Sequence, residues 1–342
     1  MANSRSPWPR GLGLAVVFVG LALVLVMATF FLGPRNAFGP DQPAARAAAP
    51  ANPAQLEQLD AWLAQSESAF QGIRPGTAKG IIWASPAKQR TPWAVVYVHG
   101  FSASRLETAP VADQIAASLG ANLFYTRLTG HGLPAAAMGE AKVQDWLADM
   151  IEATHIGHQL GERVLVIGCS TGATLATWLA LRPEGQNVAA YAFISPNFGP
   201  KDRRADIVNW PWGRQITYWV QGAQRASPIN DPREAIAWTN PYPTTAIFPM
   251  MAMVKAVRES DLGRFDKPVL MLYSDADETV DPQQTRAAFA RIGSAQKTIE
   301  AVTYSHARGQ HVLAGDIMAT EATAPMAQSI IQWVRKLAAP ML

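Results

Sequence analysis

Hydrophobic residues are distributed differently at the start of this chain and in the rest of it. Residues 11–32 form an apolar run of 22 positions with no charge and with Thr29 as the one polar side chain. As a helix the run is about 33 Å long, enough to cross the hydrocarbon core of a bilayer. It has no polar face, unlike a helix lying on a globular core. A cleavable signal peptide carries a shorter apolar region of roughly 7–15 residues, so the pattern predicts a tail at 1–10 followed by a single-pass anchor at 11–32. The small residues of Ala44-Ala45-Arg46-Ala47-Ala48-Ala49 leave cleavage as the alternative. Arg5, Arg10 and the amino terminus precede the run, and Arg35 and Arg46 follow it. That weak positive-inside bias places whatever follows on the non-cytoplasmic side.

Residues 33–55 are rich in Ala and Pro (Pro34, Pro40, Pro43, Pro50 and Pro53) and read as an extended tether. Beyond it, Leu56, Leu59, Trp62 and Leu63 recur near helical spacing. Short β-rich apolar runs then follow at 80–84, 93–98, 123–128, 163–168, 188–194, 268–273 and 298–303. Segments of helical length separate them at 105–119, 143–160, 171–181, 282–292 and 322–337. Strands alternating with helices require crossover connections, so the expected class is α/β: a mainly parallel sheet covered by helices on both faces, filling a single domain at 56–342. Functional side chains in such sheets gather at the carboxyl ends of the strands. One stretch, about 198–262, breaks the alternation. It carries Trp210, Trp212, Trp219, Trp238, Tyr218 and Tyr242, three methionines (Met250, Met251, Met253) and seven prolines from Pro200 to Pro249. An irregular aromatic insertion of this size reads as a cap over a site; the competing reading is a stripe of ordinary core aromatics.

Composition narrows the partners. Lys+Arg 29 against Asp+Glu 26 gives a net charge of +3, and the basic residues are scattered, so no nucleic-acid face is expected. The single cysteine, Cys169, excludes an intrachain disulfide and any CxxC site.

Candidate chemistry centres on Gly168-Cys169-Ser170-Thr171-Gly172, which directly follows one apolar run and precedes the helix-forming Ala173-Thr174-Leu175-Ala176. A strained strand-to-helix turn needs small residues on both sides of a projecting serine. The following helix N-terminus aims N–H groups at a developing oxyanion. Ser170 is therefore the expected nucleophile. It needs a base, and the base needs an acid to hold its tautomer. The run at 267–273 ends in Ser274-Asp275-Ala276-Asp277-Glu278-Thr279-Val280-Asp281. Asp277 is the expected acid, since Asp275 is nearer the strand end and Asp281 precedes Pro282 as a helix cap. The loop after the last run holds His306 and His311. His311 opens the apolar Val312-Leu313-Ala314 and is the expected base. A second oxyanion donor belongs in the loop after the early strand, at His99-Gly100-Phe101-Ser102: the Phe101 N–H, beside that of Thr171. His99 reads as a structural residue bonding loop backbone, and Cys169 as buried packing.

Together, His99-Gly100-Phe101, Arg127-Leu128-Thr129-Gly130-His131-Gly132, the Ser170 motif, Asp277 and His311 resemble the α/β-hydrolase superfamily, nearest its monoacylglycerol lipase, lysophospholipase and carboxylesterase branch, from about residue 80 to the C-terminus. The resemblance implies an eight-stranded sheet with a cap between the sixth and seventh strands, and ester hydrolysis through an acyl-enzyme. His311 follows Asp277 by 34 residues, a longer gap than the resemblance implies, so His306 stays in play as base. Gly11-Leu12-Gly13 lacks a third glycine and GxxxxGK[ST] is absent, so no cofactor is expected. His155, His158 and Glu152 share a helical face without a further ligand set, so no metal is expected. The expected substrate is a small ester or lipid with an apolar acyl group. Amide hydrolysis or acyl transfer on the same residues, and a non-catalytic membrane-tethered binding module, are the alternatives.

Overall fold

The computed structural model describes residues 10–46, 56 and 58–338; the rest of the tail and of the tether lies outside the described residues. The apolar run is helix α1 (Arg10–Phe31), and its segment Gly13–Phe31, of mean hydropathy 2.8, has no part buried against the domain. It is long and apolar enough to cross a membrane. After the tether, α2 (Gln58–Ser68) buries Leu59 and Leu63. There follow β1 (Gly80–Ile82), β2 (Thr91–Val98), α3 (Val111–Leu119), β3 (Asn122–Tyr125), α4 (Ala136–Glu140), α5 (Val143–Leu160), β4 (Gly161–Cys169), α6 (Thr171–Ala180) and β5 (Ala190–Ile194). A long insertion carries α7 (Gly213–Gln221), β6 (Gln224–Arg225), α8 (Glu234–Ala237), β7 (Tyr242–Pro243) and α9 (Ile247–Glu259). The chain closes with β8 (Val269–Tyr273), α10 (Pro282–Arg291), β9 (Lys297–Ala301) and α11 (Thr320–Ala338).

The central sheet has the order β1-β3-β2-β4-β5-β8-β9, with β1 antiparallel to β3 and every other pairing parallel. Alternate side chains supply the two faces. Ala94, Val96 and Val98 of β2 and Val164 and Val166 of β4 pack with Trp146, Leu147 and Leu175 of α5 and α6. Val95, Tyr97, Leu165 and Ile167 pack with Ile115, Ile330 and Val334 of α3 and α11. Burial on both faces explains why the inner strands read as unbroken apolar runs.

The sheet has seven strands among the described residues, where the resemblance implies eight. The segment preceding β1 is helix α2, whose leucines join the core on the α5 and α6 face of the sheet, and the sheet begins at its antiparallel edge strand. The insertion accordingly falls between the fifth and sixth strands of the sheet, β5 and β8. Register sets the site: Val98 lies opposite Gly168, Cys169 opposite Ile194, and Ile194 opposite Leu272. The loops after β2, β4 and β8 therefore leave the sheet at one rim.

Candidate active site

Ser170 stands at the end of β4 with φ 51° and ψ −115°, outside the usual regions for a residue with a side chain. The surroundings over-determine that conformation. Its N–H donates to the Ile194 carbonyl (2.9 Å), and its own carbonyl accepts from Ala173 N–H (3.0 Å) and Asn197 N–H (3.2 Å). The two glycines of the motif answer to close packing. A Cβ at Gly172 would lie 2.1 Å from the Val98 carbonyl oxygen, and one at Gly168 would lie 2.7 Å from Ala173 Cα. The turn closes because both positions lack side chains.

His311 links the serine to Asp277. Its Nε2 is 2.9 Å from Ser170 Oγ and its Nδ1 is 2.8 Å from Asp277 Oδ2. Asp277, 2% exposed, has its other oxygen held by the N–H groups of Thr279 (2.7 Å) and Val280 (2.9 Å). The carboxylate is thus aimed at the ring by its own turn. Because an ionised carboxylate only accepts, Nδ1 carries the proton and Nε2 is left to accept from the serine hydroxyl. The two loops are stitched together: Glu278 N–H donates to the Gly309 carbonyl (2.9 Å), Ser274 Oγ donates to Gln310 Oε1 (3.0 Å), and Gln310 Nε2 donates to the carbonyls of Ser305 and Ala307 (2.9 and 3.0 Å). The other candidates go elsewhere. His306 is exposed and its N–H meets Glu321 (3.0 Å), Asp275 pairs with Arg286 at the surface, and Asp281 caps α10 through Gln283 N–H (2.9 Å).

The loop after β2 lies against the serine, since a Cβ at Gly100 would be 3.2 Å from Ser170 Cβ. The Gly100 carbonyl accepts from Ala103 N–H (3.3 Å) and from His99 Nδ1 (2.9 Å), while His99 Nε2 accepts Leu128 N–H (3.0 Å). That pairing makes His99 a neutral donor at Nδ1. Burial, with His131 nearby, pushes its ring well below the ordinary imidazole range. The N–H groups of Phe101 and Thr171 donate to no loop, cap or side-chain acceptor among the described residues. One neighbour carried no signal in the sequence. Glu107, 2% exposed, accepts the Gly100 N–H (2.7 Å) and the Tyr97 hydroxyl (3.0 Å) on Oε1. Only long-range packing buries this loop glutamate, so neither periodicity nor motif spacing marks it.

A cavity of about 370 Å³ opens beside His311, lined by Ser102, Glu278 and Val312 from the body and by Trp238, Asn240 and Tyr242 from the insertion. The insertion is fastened around it. Thr239 N–H donates to the Ser102 carbonyl (2.7 Å), Arg74 reaches the Ile236 carbonyl (2.9 Å) and Thr239 Oγ1 (3.0 Å), and Arg308 pairs with Glu234 (3.1 Å).

A parallel sheet with a serine elbow, an acid and a histidine converging on one rim defines an α/β-hydrolase-type serine hydrolase. Residues 89–311 match the family model described as serine aminopeptidase, S33 (Hydrolase_4), and the chain belongs to that family. A thermostable monoacylglycerol lipase from Bacillus sp. (strain H-257) is 27% identical over 208 residues, covering 61% of this chain and 80% of that protein. Among solved structures, one reported for the metagenome-derived lipolytic enzymes LipS and LipT has a TM-score of 0.63 at 20% identity, covering 77% of this chain and 99% of that one. A soluble variant of monoglyceride lipase from Saccharomyces cerevisiae, in complex with a substrate analog, has a TM-score of 0.59 at 14% identity, covering 76% and 91%. At these identities the structural likeness speaks for the fold.

Proposed function

We propose that the protein hydrolyses carboxylic esters through an acyl-enzyme on Ser170. The observation that carries this reading is the hydrogen-bonded series Ser170 Oγ, His311, Asp277. Ser170 Oγ attacks the ester carbonyl carbon while His311 Nε2 takes the hydroxyl proton, and Asp277 holds the ring and favours the imidazolium. The Phe101 and Thr171 N–H groups receive the oxyanion, the latter at the positive end of α6. Collapse expels the alcohol, which takes its proton from His311. Water, deprotonated by the same nitrogen, then releases the acid and restores the serine.

The substrate is a monoacylglycerol or a similar single-chain ester. Trp238, Tyr242 and Val312 offer an apolar wall and Ser102, Asn240 and Glu278 a polar one, and two relatives are named for monoacylglycerols. The insertion acts as the cap that supplies half of this lining. Helix α1 tethers the enzyme to a bilayer with the domain on the non-cytoplasmic side. Trp212 Nε1 donates to the Thr29 carbonyl near the end of α1 (3.0 Å), and Trp210, Tyr218 and Trp219, close to Trp212 in sequence, are exposed, as aromatic side chains are at a membrane interface.

The full chain in detergent, given nitrophenyl esters of graded chain length, tests the reading. Hydrolysis with an optimum beyond acetyl, lost on the order of 10³-fold or more in Ser170→Ala, is the expected outcome; turnover untouched by that substitution would remove Ser170 from the mechanism. Amide hydrolysis is the second reading, favoured by the aminopeptidase description of the family. Faster turnover of aminoacyl anilides than of any ester would put it first.

A further inference from the structure

Four segments of the site meet at one carboxyl group outside the Ser170, His311, Asp277 series. Glu107 belongs to the loop after β2 and is 2% exposed. Its Oε1 accepts the Gly100 N–H at 2.7 Å and the Tyr97 hydroxyl at 3.0 Å. Its Oε2 lies 3.0 Å from where a Gly100 Cβ would stand, a point that is also 3.2 Å from Ser170 Cβ. The carboxyl group therefore lies close behind both the oxyanion loop and the serine. Its backbone adjoins the segment that follows His311, because a Cβ at Gly315 would lie 2.9 Å from the Glu107 carbonyl oxygen, and Asp316 N–H donates to the Ala109 carbonyl (2.8 Å).

The Phe101 N–H sits on the peptide whose carbonyl is Gly100, and hydrogen bonds hold both that peptide and the one before it. His99 and the Ala103 N–H hold its carbonyl end, and Glu107 holds the Gly100 N–H one peptide earlier. Gly100 has no side chain to limit its torsions, so hydrogen bonds must do so. We infer that Glu107 is a positioning residue, whose carboxylate locks the Gly100 backbone so that the Phe101 N–H points at the oxyanion formed on Ser170 chemistry. A carboxylate holds an N–H more strongly than a neutral acceptor does, so the lock is tight only when Glu107 is ionised. This rests on the proposed acyl-enzyme reading, which Ser170→Ala tests separately.

The titratable groups facing Glu107 are Tyr97 from β2, Cys169 from β4 and His311 from the loop after β9. Burial keeps the phenol and the thiol protonated, by pushing both well above their usual range. Burial also pushes the Glu107 carboxyl up to about 7, against the downward pull of the Gly100 and Tyr97 donors and of His311. The lock therefore loosens as pH falls through 7. The same shift makes the carboxylate a burden on the fold. A carboxyl raised from 4.5 to about 7 binds its proton more tightly in the folded state, so its contribution to stability falls as pH rises from 4.5 to 7 and stays low above.

Activity and stability of Glu107→Gln should therefore move apart, and a purely structural glutamate would not produce that. In the full chain at pH 8.5 the variant should lose about tenfold in kcat, with KM within twofold, and melt no lower than the wild type. At pH 6, where the wild-type carboxyl is itself protonated, the kcat gap should narrow to less than threefold. A kcat within twofold of wild type at pH 8.5, or a deficit that stays constant from pH 6 to 8.5, overturns the inference. Tyr97→Phe is the second variant. It leaves the Gly100 bond in place but removes a donor that lowers the Glu107 pKa, so the loss of kcat on acidification should begin at higher pH. An acid limb unchanged in that variant overturns the inference even if Glu107→Gln does not fold.

Discussion

At the rim formed by β2, β4 and β8, single atoms are confined: a Cβ at Gly172 would meet the Val98 carbonyl oxygen at 2.1 Å, and Ile167, Cys169 and Ile194 are fully buried. In the insertion between β5 and β8, by contrast, Trp219 is 86% exposed and Val220 68%, and the local core is a small cluster of Val208, Ile247, Phe248 and Met251. The groups proposed for chemistry hang on the first region, while the second supplies the aromatic wall of the cavity. A triad needs positions held to fractions of an ångström, which close packing on a sheet provides. A wall proposed to select among acyl chains tolerates looser packing, and its changes should appear in substrate affinity rather than in the chemical step.

Three substitutions test this contrast, in decreasing order of expected effect. Asp277→Asn leaves the turn through Thr279 and Val280 in place but frees the ring to take the wrong tautomer, so kcat should fall on the order of 10⁴-fold with little change in melting temperature; a loss below tenfold would show that the ring is oriented by other means. Ile167→Ala opens a void in the sheet beneath the elbow, and denaturant unfolding should show a loss of about 2–5 kcal/mol. The same measurement on the insertion should give much less. Arg308→Ala breaks the pair with Glu234 that ties the insertion to the His311 loop; Arg308 is half exposed, so stability should change by about 0–1 kcal/mol while KM rises several-fold at constant kcat. A fall in kcat matching the rise in KM would mean that the insertion orients His311, the proposed base, as well as lining the cavity.

Much of this arrangement was readable along the chain. Each of the seven runs became a strand of the central sheet, with ends shifted by a few residues; the inner ones are the most plainly apolar, because a strand buried on both faces needs uninterrupted apolar sequence, whereas the edge strands β1 and β9 are partly exposed. The Ser170 motif was legible for a steric reason, since a tight elbow against Val98 and Ala173 admits nothing larger than glycine at positions 168 and 172. Helix α1 was legible from length and composition alone. The strand count was not: the amphipathic segment before β1 could be recognised as a helix, but that the sheet pairs seven strands and begins at β1 came only from the folded chain.

Local chemistry also narrowed the acid and the base to neighbours in two loops, Asp275, Asp277 and Asp281 for one and His306 and His311 for the other. Which of them meet one another and Ser170 emerged only in the folded chain. Ser170 and His311 are separated by 141 residues and meet because the parallel register levels the ends of the strands. Asp277 rather than Asp275 turns inward because the N–H groups of Thr279 and Val280 take one of its oxygens. Glu107 shows the limit most clearly. Its sequence neighbours Leu106 and Thr108 give no hint of a role, and its significance comes from burial between Gly100, Tyr97 and Cys169, where exclusion of water changes what a carboxylate does. By itself the sequence determined the elements, the elbow and the short lists of partners, because periodicity and turn sterics act between near neighbours. The tertiary structure decided which side chains meet and which charges are cut off from solvent, because both depend on segments that only the closed sheet brings together.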